Sequence, residues 1–176
     1  CMLQALHEIE LSLAVKVGNT LGRRAPDGHL RTEHLDSQLC ARVRRGGLTE
    51  HQLWRQRYDK LCRAAKDEEY VKHHNEIYRG EIPIWVATGF MDFGCLVRLY
   101  SLMDRSDRRK IAAEFGLGGD GSRALHRWLV ALNILRNQCS HLGRVWNRST
   151  VIHGDRKSGS AGMARPSSYA VFCLKK

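Results

Sequence analysis

The feature that most limits what this chain can fold into is the spacing of its apolar residues. Leu6, Ile9, Leu13 and Val17 recur at three- and four-residue intervals and share one face of a helix read from Leu3 to Val17. Leu125, Trp128, Leu129, Leu132, Leu135 and Cys139 keep helical spacing in the same way. Only three prolines, Pro26, Pro83 and Pro166, interrupt the chain, and no segment alternates as a half-buried strand does. The pattern predicts an all-α fold, a bundle of helices.

The breaks in the pattern divide it into elements. Gly18 to Gly28 reads as the end of the first helix, and a second helix is expected from about His34 to Arg44, stopping at Gly46-Gly47. Thr49 with Gln52 forms a capping-box signature. The segment after it, to about Tyr78, is one long helix or two, closed by Gly80 and Pro83. The apolar patch Ile84-Trp85-Val86-Ala87 leads into Phe90 to Met103, and Asp104 to Phe115 reads as a short helix. Gly116 to Gly121 is too glycine-rich for regular structure, Ser122 is placed to cap the next helix, and Gly143 to terminate it. Residues 1–150 thus read as one helical domain. Residues 151–176 read as a basic Gly/Ser-rich loop and the start of a further element, as if the sequence were a fragment.

Composition narrows the class. The 176 residues carry a formal charge of +11, and 43% are hydrophobic, enough for a core and unlike a disordered basic tail. No apolar run approaches the ~18 residues of a membrane span, and His7, Glu8 and Glu10 interrupt the first segment as no signal peptide would allow. The expected setting is the cytoplasm, with no membrane partner. The six cysteines are scattered without a Cys-x-x-Cys pair, which fits neither a disulfide framework nor a zinc site, so no metal or other cofactor is expected. The 21 arginines against 8 lysines favour planar phosphate contacts, and hence a nucleic-acid partner. The clusters Arg42/Arg44/Arg45 and Arg105/Arg108/Arg109 could follow an RNA backbone or form ordinary solvated faces. Trp54, Trp85 and Trp128 read as core or interface anchors.

The chemistry concentrates in Leu135-Arg136-Asn137-Gln138-Cys139-Ser140-His141-Leu142-Gly143-Arg144-Val145-Trp146-Asn147-Arg148. On a helix, Asn137, His141 and Arg144 line up on one face, while Arg136 lies roughly 140° from His141 and reaches round toward a shared ligand. A neutral His, with an ordinary pKa of ~6.5, can take the proton from a ribose 2′-OH. An Arg can then stabilise the extra charge on the pentacoordinate phosphate. Asn137 would orient the His or the phosphate. The leaving 5′-oxygen needs a second proton donor, for which a second copy across a dimer would serve, and the product would carry a 2′,3′-cyclic phosphate. The same cluster at a helix end also suits plain capping and salt bridging.

The segment Arg136-Asn137-Gln138-Cys139-Ser140-His141, with Arg144, Trp146, Asn147 and Arg148 after it, resembles the Abi-like family of bacterial phage-resistance (abortive infection) proteins. Two further stretches agree. Ile82-Pro83-Ile84-Trp85-Val86-Ala87, followed by Phe93-Gly94 and Leu99-Tyr100, is similar to the family's Pro-Ile-Trp segment and Phe-Gly helix. His7-Glu8-Ile9-Glu10-Leu11 resembles its early helix with an acidic residue. The family is similar in turn to the HEPN superfamily, which implies a HEPN-like helical bundle acting as a metal-independent, usually dimeric ribonuclease. The resemblance implies Arg136 and His141 as the catalytic pair and Asn137 as the polar neighbour, with Leu142 standing where the family often has a second His. Arg144, Trp146, Asn147 and Arg148 are the expected RNA contacts. It also implies missing N-terminal family sequence and control by an antitoxin or a regulatory noncoding RNA. The alternative is a non-catalytic RNA-binding module that holds a structured RNA and leaves it intact.

Overall fold

The computed structural model describes residues 2–77 and 82–140. These form eight α-helices: α1 (Met2–Gly22), α2 (Ser37–Ala41), α3 (Glu50–Ala64), α4 (Glu69–Ile77), α5 (Ile84–Ala87), α6 (Phe93–Leu102), α7 (Arg105–Glu114) and α8 (Ser122–Ser140). Among the described residues the sole β feature is an isolated bridge between Val43 and Thr49. The fold is all-α, as the apolar spacing predicts. None of the described helices is long and apolar enough to cross a membrane.

Helix α6 is the centre of the bundle. Phe93, Cys95, Leu96, Val97, Leu99, Tyr100 and Leu102 are all buried, because α1, α3 and α8 pack around it. Its N-cap is Asp92, whose carboxylate accepts from the Cys95 amide at 2.8 Å and so satisfies one of the orphan donors of the first turn. Helix α3 starts on the expected capping box, with Gln52 N–H donating to Thr49 Oγ1 at 3.1 Å and Thr49 N–H donating to Gln52 Oε1 at 2.8 Å.

Two expected helices change, and one open division is settled. Helix α1 runs through Gly18 to Gly22 instead of stopping at Val17. Gly18 is buried, and a Cβ there would lie 3.7 Å from the Trp85 Cα and from Thr88 Cγ2. That is ordinary contact, so α5 packs on α1 here without requiring a glycine; the tighter approach is at Gly22, where a Cβ would meet Trp85 Cε3 at 3.1 Å. In place of the helix expected from His34 to Arg44 the chain forms a 3₁₀ turn, Thr32–His34, followed by the five-residue α2, capped by Asp36. The segment after Thr49 is two helices, broken at Ala65–Glu68. Of the tryptophans, Trp54 is fully buried and donates to the Cys95 carbonyl at 3.2 Å. Trp85 and Trp128 are 53% and 56% exposed and lie outside the core.

Ser122 does not cap α8. It is the first residue of that helix, and its hydroxyl donates to Asp120 Oδ1 at 2.8 Å. Asp120 also accepts from Arg105 Nη2 at 2.6 Å and from Arg109 Nε at 3.3 Å. Those three donors hold its carboxyl well below the usual range. Two of the arginines read as RNA-tracking candidates therefore fasten the glycine-rich loop that orients α8. Arg108 pairs with Asp36 at 3.8 Å, and Arg44 with Glu50.

Candidate functional site

Helix α8 lays Leu125, Leu129 and Leu132 against the bundle. The same four- and three-residue steps bring Arg136 to the end of that inward-facing stripe. There it meets α1: Arg136 Nε lies 3.9 Å from Glu10 Oε2, with 37% of the arginine side chain and 16% of the glutamate side chain exposed. At that separation the pair is electrostatic and not hydrogen-bonded, since a charge-assisted N–H···O bond spans about 2.7–2.9 Å. The donors of Arg136 are thus uncommitted to Glu10.

Burial lifts the Glu10 carboxyl above its ordinary value, and Asp92 adds to the lift. Arg136, His7 and the Phe93 backbone amide pull it back. The site is therefore a meeting of α1 and α8 with the N-terminus of α6. On its far side Arg57, from α3, grips Asp92 with two donors, Nη2 at 2.7 Å and Nε at 3.2 Å. Gly94 lies between the groups. A Cβ there would sit 3.3 Å from Arg57 Nη2, 3.4 Å from the Asn133 amide nitrogen and 3.5 Å from Asp92 Oδ1. The missing side chain leaves the space in which α3 and α8 bring these polar groups together.

Of the residues named from the sequence, Arg136 and Asn137 are in the described part. Arg136 faces the α1–α6 junction, while Asn137, one residue on, is exposed. His141, Arg144, Trp146, Asn147 and Arg148 lie outside the described residues, as do Gly143 and the segment 151–176. Sequence reasoning did not single out Arg57, Asp92 or Asn133. The available signals were an Asp ahead of Phe93-Gly94, as an N-cap is, and an Asn three and four residues before Arg136 and Asn137.

The match to known families covers residues 1–147, and the family is described as Abi-like protein. The chain belongs to the Abi-like family. No curated protein and no solved structure gives a match. In this Abi-like chain the matched region contains all of the described helices and the Arg136–His141 segment.

Proposed function

We propose that this Abi-like protein is a metal-independent endoribonuclease of an abortive-infection system, with Arg136 and His141 as its reacting pair and Asn137 as their polar neighbour. The observation that carries the reading is Arg136 itself. A guanidinium ends a stripe of leucines, is partly open to solvent, and keeps its donors free of its acidic neighbour. That is an expensive way to end a helix and a suitable way to meet a phosphate. His141, one turn and a residue further along the sequence, supplies the base at working pH. A HEPN-type dimer would bring a second His141 to protonate the leaving 5′-oxygen. Arg144, Trp146, Asn147 and Arg148 hold the RNA, and an antitoxin or regulatory RNA restrains the activity until infection.

The test is cleavage of a fluorescent RNA by the purified protein in EDTA, with the products' ends analysed. Wild type is expected to cut and leave 2′,3′-cyclic phosphates. Arg136→Ala and His141→Ala are expected to stay folded and lose cleavage by a factor of about 100 or more, the lower range of general acid–base contributions. Undiminished cutting by both variants would end the proposal. Salt-sensitive binding by a wild-type protein that leaves the RNA intact would favour an RNA-holding module instead.

A further inference from the structure

The inward stripe of α1 has the same form as that of α8. Leu6, Leu13 and Val17 are buried, and Glu10 falls between them in steps of four, three and four residues. On α8 the steps from Leu125 through Leu129 and Leu132 to Arg136 are also four, three and four. Each helix thus replaces one apolar residue of its core-facing row with a charge, and the packing of α1 on α8 sets the two charges opposite each other.

Stability does not account for this arrangement. An apolar pair in the same places would serve the core as well or better, because partial burial costs both ions their hydration. The cost is visible in Glu10, whose carboxyl is lifted by burial even beside a guanidinium. Places where a core breaks its own pattern are places where function is to be sought.

We infer that Glu10 is a positioning residue for Arg136, its carboxylate drawing the Nε side of the guanidinium toward α1 by charge alone and leaving the two Nη groups to an incoming phosphate. The inference rests on the proposed ribonuclease reading and adds a residue to its site. The geometry defines the role. The close approach is between Glu10 Oε2 and Nε, so the side of the guanidinium that points away from α1 is the one left open. Among the described residues Glu10 is the acidic group within ion-pair distance of Arg136. The second carboxylate of the cluster, Asp92, is occupied by Arg57 and by the cap of α6. Asp92 therefore does not replace Glu10 when Glu10 is neutralised. His7 stands one turn before Glu10 on α1 and also draws on its charge.

The experiment compares wild type with Glu10→Gln, Glu10→Asp and the exposed control Glu8→Gln. The first readout is kcat and KM on a fluorescent RNA. Glu10→Gln is expected to lower kcat by ~10- to 100-fold with little change in KM, the scale of an ~1 Å misplacement of a reacting group. Glu10→Asp should recover part of the loss, and Glu8→Gln should match wild type. The second readout does not depend on cleavage. It follows the Nε–Hε NMR signal of Arg136, identified by its absence in Arg136→Lys, with inorganic phosphate as the anion probe. The signal should be sharp in wild type and move on phosphate addition, and should shift or broaden in Glu10→Gln. A Glu10→Gln protein with wild-type kcat and an unchanged Arg136 signal overturns the inference. A wild type that cuts no RNA but shows the Glu10-dependent, phosphate-responsive signal removes the ribonuclease reading and leaves the positioning role standing.

Discussion

Acidification should unfold this protein through one buried histidine. His29 is fully buried, packed edge-on against Trp54 and Tyr58 with ring centroids 6.1 and 5.3 Å away. Its Nε2 lies 3.3 Å from the Tyr58 hydroxyl, and its Nδ1 has no hydrogen-bond partner among the described residues. An imidazolium would carry a second N–H with nowhere to donate. Burial, reinforced by Arg55 and His51 and opposed by Asp27, brings the His29 pKa down to about 3. The unfolded chain then binds the proton more tightly than the native one, so stability rises with pH. It is intact above about pH 6.5, begins to fall below that, and the loss is complete near pH 3. From an ordinary pKa of ~6.5, the full shift is worth about 5 kcal/mol, of which about 2 kcal/mol is already lost at pH 5. The assay is urea unfolding at several pH values for wild type and His29→Phe. The phenylalanine loses the contact to Tyr58 at every pH, which changes the level of the curve. Removing the titration changes its slope, while the other ionisable groups cancel in the difference. Equal pH slopes for the two proteins between pH 7 and 4 would refute the reasoning.

Three smaller perturbations test the framework around the site. Gly121→Ala places a Cβ 2.6 Å from the Leu117 Cβ and 2.9 Å from its carbonyl oxygen; backbone cannot yield cheaply, so thermal unfolding should show a loss of about 1–3 kcal/mol. Thr49→Ala removes one arm of the α3 capping box and should cost about 1 kcal/mol in denaturant titration. Asp120→Ala frees Arg105, Arg109 and Ser122 together. Limited proteolysis should then cut the Gly116–Gly121 loop faster than in wild type.

Much of this fold was legible because its strongest signals are local. The capping box of α3 depends on two side chains three residues apart, and the rows of α6 and α8 depend on spacing alone. Gly18 does not end α1 for a physical reason: a helical glycine costs only about 1 kcal/mol, less than burying Leu21 one turn on returns. A glycine that ends a helix and one that a helix tolerates look alike in sequence, and the core contact of Leu21 distinguishes them. The division of α3 from α4 was open because Ala65, Lys66 and Glu68 all tolerate a helix. Trp85 and Trp128 sit in apolar surroundings along the chain yet face outward, since hydrophobic neighbours in sequence do not fix which side of a short helix is covered. The site was half legible in the same sense. Arg136 stands out by its company of polar residues, whereas the opposition of Glu10 to it exists only once the two ends of the described chain have packed together.

The pairing of Glu10 with Arg136 depends on the order of synthesis. Contacts between α1 and α8 join segments at opposite ends of the described chain, and such pairs form late because a long loop must close first. Of the described helices, a ribosome delivers α1 first and α8 last. Until α8 has left the exit tunnel, Glu10 waits on a partly built bundle with no guanidinium to face it. The Glu10–Arg136 pairing therefore does not exist until α8 has emerged, whatever the paired groups then do.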